Sequence, residues 1–332
     1  DQHMETCAPC HARRGEITGD LVPGESFHDH FRLTIPDQSD IYYPDGQVRE
    51  EDYVFASFLG STMHAAGVRC VDCHDPHTGQ RLLPGNALCM RCHVGGTAPI
   101  PPLTTVAPMI DPVAHSHHAP ESTGHACTAC HMPVTVYMQR DPRHDHGFTI
   151  PDPLLTKKFG IPNACNRCHE DKDVDWALAA ANEWYGEKLD RPTRHRATTF
   201  AEAKQGMFSA RDRLITLLRS DETPLWKASA CLLLGRWVFE PPATEALRKQ
   251  LRHDHPLVRA AAVEALGAAA QGGLEDLRAA LKPLLKDPSR NVRVATAWAL
   301  RDTVDLESVA GRELLHSLDI NSDQPAGQMR LG

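Results

Sequence analysis

The sequence predicts a mainly α-helical protein with little or no β-sheet, in which a loop-rich first half is followed by a helical second half. Three observations support this. Ten of the 11 cysteines lie between Cys7 and Cys168, in a region rich in proline and glycine. From about residue 172, alanine, leucine, arginine and glutamate dominate, with apolar residues at helical spacing. Similar helical segments then recur at offsets of 32 and 34 residues.

The length, net charge and apolar pattern of the chain indicate how many domains it has and which partners to expect. The 332 residues are enough for two domains of ordinary size. The net charge of -8 gives no reason to expect nucleic acid as a partner. No run of 18 or more apolar residues occurs, so no direct membrane span is predicted. Because the chain opens at Asp1 without a leader, we expect the natural polypeptide to be longer.

The first half is too rich in proline for long helices. Residues 96–112, GTAPIPPLTTVAPMIDP, contain prolines that fix φ and remove hydrogen-bond donors. The spacing of apolar residues predicts the first clear helix at 176–186. Further helices are predicted at 209–219, 224–238, 243–252, 256–270, 274–286 and 290–302.

The second half contains a repeated unit. The segments WKASACLLLG (226–235), VRAAAVEALG (258–267) and VRVATAWALR (292–301) share one pattern, and each follows a turn with proline. A helix pair that cannot bury its apolar side alone stacks on its neighbours. This pattern resembles HEAT repeats over roughly residues 205–320, which implies an α-solenoid. Cys231 falls on the apolar side of the first unit, where a small core residue is expected.

Ten cysteines form five Cys-x-x-Cys-His motifs, the signature for covalent attachment of c-type haem. In such a motif the two thiols bind the porphyrin vinyl groups and the histidine is the proximal iron ligand. Neither zinc nor disulfides would explain a histidine after every pair. We therefore predict five haems c, attached through Cys7, Cys10, Cys70, Cys73, Cys89, Cys92, Cys127, Cys130, Cys165 and Cys168, with proximal ligands His11, His74, His93, His131 and His169.

The predicted haems define three segments of the chain. Residues 1–172 form a pentahaem cytochrome c domain, 173–204 form connecting helices, and 205–332 form the HEAT-like repeat domain. Only 6% of the residues are aromatic, so we expect the porphyrins to supply the core of the first segment. Without haem, residues 1–170 should be largely unfolded.

Fifteen further histidines could supply distal ligands on the opposite side of each iron. His77 cannot reach the far side of the iron that His74 binds, because three residues of chain cannot pass around a porphyrin. It should therefore bind a neighbouring haem; the alternative is an exposed loop histidine. In His115-Ser-His117-His118, we expect two ligands and one bystander, and favour His115 and His118.

Other distal candidates are spread along the first half. In His144-Asp-His146 we favour His146. At least one of His28, His30 and His64 should also be a ligand, and we favour His30 and His64 as candidates. Met63 is an alternative whose iron would have a raised potential. No ligand role is expected for His3, His125, His195, His253, His255 and His316.

Several segments resemble a known group of proteins. HAAGVRCVDCHDPH (64–77), CTACHMP (127–133) and DHGFTIPDP (145–153) resemble the multihaem superfamily of cytochrome c nitrite reductase and cytochrome c554. The chain is more similar still to large bacterial cytochromes with doubled Cys-x-x-Cys-His units followed by helical repeats. The resemblance implies electron transfer more firmly than any reaction. Nitrite reductases of the superfamily usually carry a Cys-x-x-Cys-Lys motif, which is absent from this sequence.

The expected function is electron transfer along a row of closely packed haems, because about 160 residues cannot keep five haems far apart. Two alternatives stay open. One is an oxidoreductase acting on a small nitrogen or sulfur species at an open haem, with Tyr137, Arg140 and Arg143 as polar candidates. We favour a role as haem propionate partners, because arginine pairs well with carboxylates. The other is a subunit of a polymeric extracellular cytochrome.

Compartment and partners follow from the cofactor. Because thioether attachment takes place outside the cytoplasm, we expect an exported protein, periplasmic or extracellular. The expected partners are redox proteins, and self-association is possible.

Overall fold

The computed structural model of the protein describes residues 2–50, 53–94 and 106–331. These residues are mainly α-helical, which confirms the predicted fold class. In chain order the helices are α1 (Gln2–His11), α2 (Phe27–His30), α3 (Val54–Leu59), α4 (Thr62–Ala65), α5 (Asn86–His93), α6 (Pro112–Ser116), α7 (Cys127–His131), α8 (Pro153–Phe159), α9 (Ala164–Cys168), α10 (Val174–Tyr185), α11 (Pro192–Lys204), α12 (Ser209–Arg219), α13 (Pro224–Leu234), α14 (Pro241–Gln250), α15 (Pro256–Gln271), α16 (Glu275–Leu281), α17 (Arg290–Ala299), α18 (Val309–Ile320) and α19 (Pro325–Leu331).

Apart from two isolated bridges, the β-structure in the described part of the chain is limited to two small antiparallel hairpins. Strand β1 (Arg14–Glu16) pairs with β2 (Phe31–Leu33), and β3 (Val134–Tyr137) pairs with β4 (Asp141–His144). In the second hairpin Thr135 lies opposite Arg143. Short 3₁₀ turns are found at Cys70–Asp72, Thr123–His125, Gly186–Leu189, Gly235–Trp237 and Lys282–Lys286.

The chain divides into two compact units. The first consists of residues 39–198, and the second combines residues 4–38 with residues 199–332. The predicted haem domain, residues 1–172, kept all five motifs together. In the structure the first motif instead packs with the repeats. The reason is non-local bonding within the second unit. Arg32 donates to the carboxylate of Glu264 at 2.8 Å, and the backbone N–H of Arg290 donates to Asp29 at 2.7 Å.

Helices α13, α15 and α17 of the second unit contain the three repeated segments. Their apolar sides are buried, with Leu234 and Leu266 fully inaccessible to solvent. Small residues allow the successive units to approach closely. A Cβ at Gly235 would lie 3.3 Å from Ala265, and one at Gly267 would lie 3.3 Å from Ala299. The sequence pattern therefore yields stacked helices with a continuous core.

The first unit has a small core in which Leu155 and Ile161 pack with Ala197, and Tyr42 and Phe55 are also buried. Beside it lies a long stretch without any core. Among the described residues from 62 to 94 and from 106 to 132, none is buried. We call residues 62–94 and 106–132 the coreless stretch; it contains the second, third and fourth cysteine motifs.

The sequence also predicted that the proline-rich segment 96–112 forms no long helix and that no segment spans a membrane. Of the proline-rich segment 96–112, residues 96–105 lie outside the described residues, and residues 106–111 are not helical. Among the described residues, no helix is both long and apolar enough to cross a membrane.

Candidate haem-binding sites

Each Cys-x-x-Cys-His motif is built on about one turn of helix. The first motif ends α1, the second begins at the 3₁₀ turn Cys70–Asp72, and the third ends α5. The fourth motif forms α7, and the fifth lies at the end of α9. Helical residues three and four positions apart share one side of the helix. The two thiols and the imidazole of each motif are thereby placed together, as attachment of one haem requires.

Consecutive motifs of the first unit are in contact. The thiols of Cys89 and Cys127 are hydrogen bonded, which raises the pKa of Cys89 and lowers that of Cys127 to about 7. Asn86 joins the same two motifs, because its side chain accepts the N–H of Cys127 at 2.9 Å. Arg91 of the third motif donates to the carbonyl of Asp72 in the second at 2.9 Å. The second, third and fourth motifs thus form one connected series.

Backbone carbonyls fix the orientation of the proximal imidazoles. Nδ1 of His131 lies 2.9 Å from the carbonyl oxygen of Thr149, and Nδ1 of His93 lies 2.9 Å from that of Pro108. Nδ1 of His74 makes a longer contact of 3.3 Å with Gly79. A carbonyl can only accept, so Nδ1 carries the proton and Nε2 has the lone pair. This is the tautomer that binds a metal through Nε2.

Three proximal imidazoles lie opposite a second histidine. The ring centres of His74 and His146 are 6.3 Å apart, and those of His131 and His115 are 5.9 Å apart. The rings of His169 and His118 are 6.3 Å apart. Two imidazole–metal bonds of about 2 Å to one iron would place ring centres about 6 Å apart. Each pair therefore has the spacing of two axial ligands.

The distal members of these pairs are also held by hydrogen bonds. Nδ1 of His146 lies 2.8 Å from the carbonyl of His144, and Nδ1 of His118 lies 2.6 Å from that of Ser116. The buried carboxylate of Asp145 accepts the N–H groups of Val48 and Gly147 and so anchors the turn that carries His146. Burial raises the pKa of Asp145.

Partial removal from water keeps several of these imidazoles neutral. It lowers the pKa of His131, His115 and His64, because transfer from water disfavours the charged ring. Neutral imidazole is the form that ligates iron. His64 and His125 also have a buried Nδ1 without a hydrogen-bond partner in the described part of the chain. Buried polar atoms of this kind indicate a missing partner.

The other distal candidates are placed less favourably. Both ring nitrogens of His30 are engaged, Nδ1 with Thr18 at 2.6 Å and Nε2 with Glu25 at 2.7 Å. His28 is buried in edge contact with His255, and burial lowers its pKa to about 4. His77 is exposed, with its backbone N–H bound to Asp75. The ligand roles of His30, His64 and His77, like those of His115, His118 and His146, stay predictions.

The residues around the motifs fit a large apolar group. The coreless stretch exposes Leu82, Val94, Met109 and Val113, which a porphyrin would cover. Partial burial raises the pKa of the thiols of Cys73, Cys130 and Cys165. No cluster of three or more His, Cys, Asp or Glu suited to a metal ion occurs among the described residues.

The polar candidates for catalysis lie on the second hairpin. The guanidinium of Arg143 covers the ring of Tyr137 at 4.4 Å, and the Tyr137 hydroxyl donates to that of Tyr53 at 3.2 Å. With His144 they line a small pocket. Arg140 is exposed at the hairpin turn.

Sequence reasoning missed two residues that contact the histidine cluster at 115–118. Trp184 stacks on His117 with ring centres 4.3 Å apart, and Gly124 leaves room for the ring of His118. The aromatic pair Trp184-Tyr185 at the end of a helix was the only signal, since Gly124 lies in an ordinary loop sequence.

Comparison with known proteins identifies two segments. Residues 64–97 match the family model of the doubled CXXCH motif, and residues 211–301 match that of HEAT repeats. No curated protein matches the chain, and neither does any solved structure. The doubled motif indicates covalently bound haem c, and the HEAT repeats agree with the stacked helices of the second unit. The chain is therefore a c-type haem-binding protein that carries HEAT repeats.

Proposed function

We propose that the protein carries five covalently attached haems c and passes electrons between them, in the periplasm or outside the cell. Bound haem supplies one-electron chemistry at iron. The polypeptide supplies ten thiols and five proximal histidines, at the motif positions named above. The proposed partners are redox proteins that donate and accept single electrons. Self-association is a further possibility.

The observation that carries this proposal is the set of opposed imidazoles. His74, His131 and His169 each lie about one bis-histidine spacing from a second ring. An iron with both axial positions filled has no site for a substrate. Such an iron changes oxidation state with little change in its ligands, which suits electron transfer more than catalysis.

The surrounding residues hold these ligands in fixed positions. Hydrogen bonds from Nδ1 to backbone carbonyls orient the rings of His131, His146 and His118. A buried carboxylate, Asp145, anchors the turn before His146. Preorganised ligands of this kind limit rearrangement when the charge on iron changes.

Contacts between successive motifs support transfer within the first unit. The side chain of Asn86 accepts the N–H of Cys127 and so joins the third and fourth motifs, and Arg91 joins the third to the second. Arg167 of the fifth motif donates to the carbonyl of Val134, directly after the fourth. Covalent attachment at each motif would then place the second to fifth cofactors in sequence.

The first experiment counts and characterises the cofactors. The holo-protein is exported from a host with a c-type maturation system, and its haem is measured by pyridine haemochrome and intact mass. We expect five haems per chain and low-spin ferric signals in low-temperature electron paramagnetic resonance. Fewer than five haems would contradict the count. A stoichiometric high-spin signal that changes on addition of nitrite or hydroxylamine would instead support the enzyme alternative.

A further inference from the structure

Helix α6 ends in a turn that points two histidines at different partners. His117 caps this helix with a φ of 56°, in the left-handed region that is uncommon for residues other than glycine. The chain therefore reverses between His115 and His118. His115 lies opposite His131 of the fourth motif, and His118 lies opposite His169 of the fifth.

Helix α10 stabilises this unusual turn. The ring of Trp184 stacks on that of His117 with an angle of 10° between their planes. The hydroxyl of Tyr185 donates to the backbone carbonyl of His115 at 2.7 Å. Left-handed backbone at a non-glycine residue persists only where its surroundings enforce it, and these two contacts do so.

Gly124 gives the ring of His118 its space. A Cβ built on Gly124 would lie 2.7 Å from Nε2 and 2.8 Å from Cγ of His118. Side chains do not approach so closely, so any other residue would displace the imidazole. The φ of Gly124 is not positive, so its backbone conformation does not require glycine. A glycine is needed there because the ring of His118 approaches so closely.

We infer that residues 115–118 bridge two haem sites, with His115 as the second ligand of the iron bound by His131 and His118 as that of the iron bound by His169. Gly124 and Trp184 act as positioning residues, the first for His118 alone and the second for both ligands. This inference rests on the proposed function. Its consequence is mechanical coupling, because a shift of one axial ligand displaces the other through two intervening residues.

Three substitutions in the full-length holo-protein test the bridge. Gly124→Ala should convert one iron equivalent per chain to high spin, and so should His118→Ala. Trp184→Ala should shift two of the five midpoint potentials, whereas Trp184→Phe, which keeps a stacking ring, should shift them less. Gly19→Ala is the matched control, because a Cβ there meets nothing within 4 Å.

The readouts are spin quantitation, potentiometric titration and haem content. Added imidazole should restore the low-spin signal of His118→Ala, which shows that the site is folded. The inference is overturned if Gly124→Ala keeps five low-spin irons, or if Trp184→Ala shifts no potential or only one. A wild-type protein with fewer than five haems would count against the proposed function, whereas the inference needs only the haems of the fourth and fifth motifs.

Discussion

The ion pair between Arg259 and Asp287 is buried in the second unit, so removing one of its two charges should be costly. Arg259 donates from Nε and Nη2 to the two carboxylate oxygens of Asp287, each at 2.8 Å. The side chains are only 12% and 7% exposed, so water would not replace the contact. Arg259 also donates to the carbonyls of His253 and Asp254. It thereby joins one repeat to the first residue of the next.

Asp287→Asn removes the negative charge and leaves the buried guanidinium of Arg259 with neutral acceptors only. Breaking one side of a buried ion pair costs about 3–5 kcal/mol of unfolding free energy. In a unit of this size that corresponds to a fall in melting temperature of roughly 10 °C. The double variant Arg259→Met/Asp287→Asn should be more stable than the sum of its two single variants implies, because the unpaired charge is gone.

Denaturant unfolding followed by far-ultraviolet circular dichroism measures these free energies. The matched control is Asp276→Asn, which breaks the more exposed pair of Arg248 and Asp276 and should cost less than about 1 kcal/mol. Equal losses for Asp287→Asn and Asp276→Asn, or strictly additive effects in the double variant, would refute the reasoning.

Three further predictions concern ligation, pH and cofactor loss. His146→Ala should turn the iron bound by His74 high spin, whereas His144→Ala should not; unchanged spin states in both variants would contradict the ring pairing. Burial lowers the pKa of His255 to about 3 in the folded protein. Because His255 binds a proton more readily in the unfolded chain, the free energy of unfolding should fall as the pH drops from 6.5 toward 3. His255→Asn, which can still cap α15, should reduce this slope by up to about 1.4 kcal/mol per pH unit in acid unfolding; an unchanged slope would exclude His255 as its source. In protein made without haem, hydrogen exchange should find the coreless stretch unprotected and the helices α12 to α18 protected; slow exchange in the coreless stretch would show that it folds unaided.

Local features of the sequence predicted the residues that attach haem covalently. A Cys-x-x-Cys-His motif is five consecutive residues, so its chemistry does not depend on the rest of the fold. The HEAT units were equally visible, because their apolar residues recur at offsets of 32 and 34. Family models independently match the second and third motifs and the repeats.

Non-local contacts explain what the sequence did not predict. His146 lies 72 residues from His74, and only the turn anchored by Asp145 brings it there. The role of Gly124 depends on where the ring of His118 lies, which no local pattern specifies. Likewise, residues 4–38 join the repeats through bonds such as that of Arg32 with Glu264, across more than 200 residues.

The coreless stretch has a consequence for how the protein is made. Apolar burial is the main favourable term in folding, and this stretch has little of its own to bury. With the export proposed above, it should therefore leave the export machinery as an open chain, with its thiols accessible to the enzymes that attach haem. Compaction would follow attachment, one motif at a time. A chain short of cofactor would stay open and be degraded by proteases, so the amount of mature protein should follow the supply of haem in the cell.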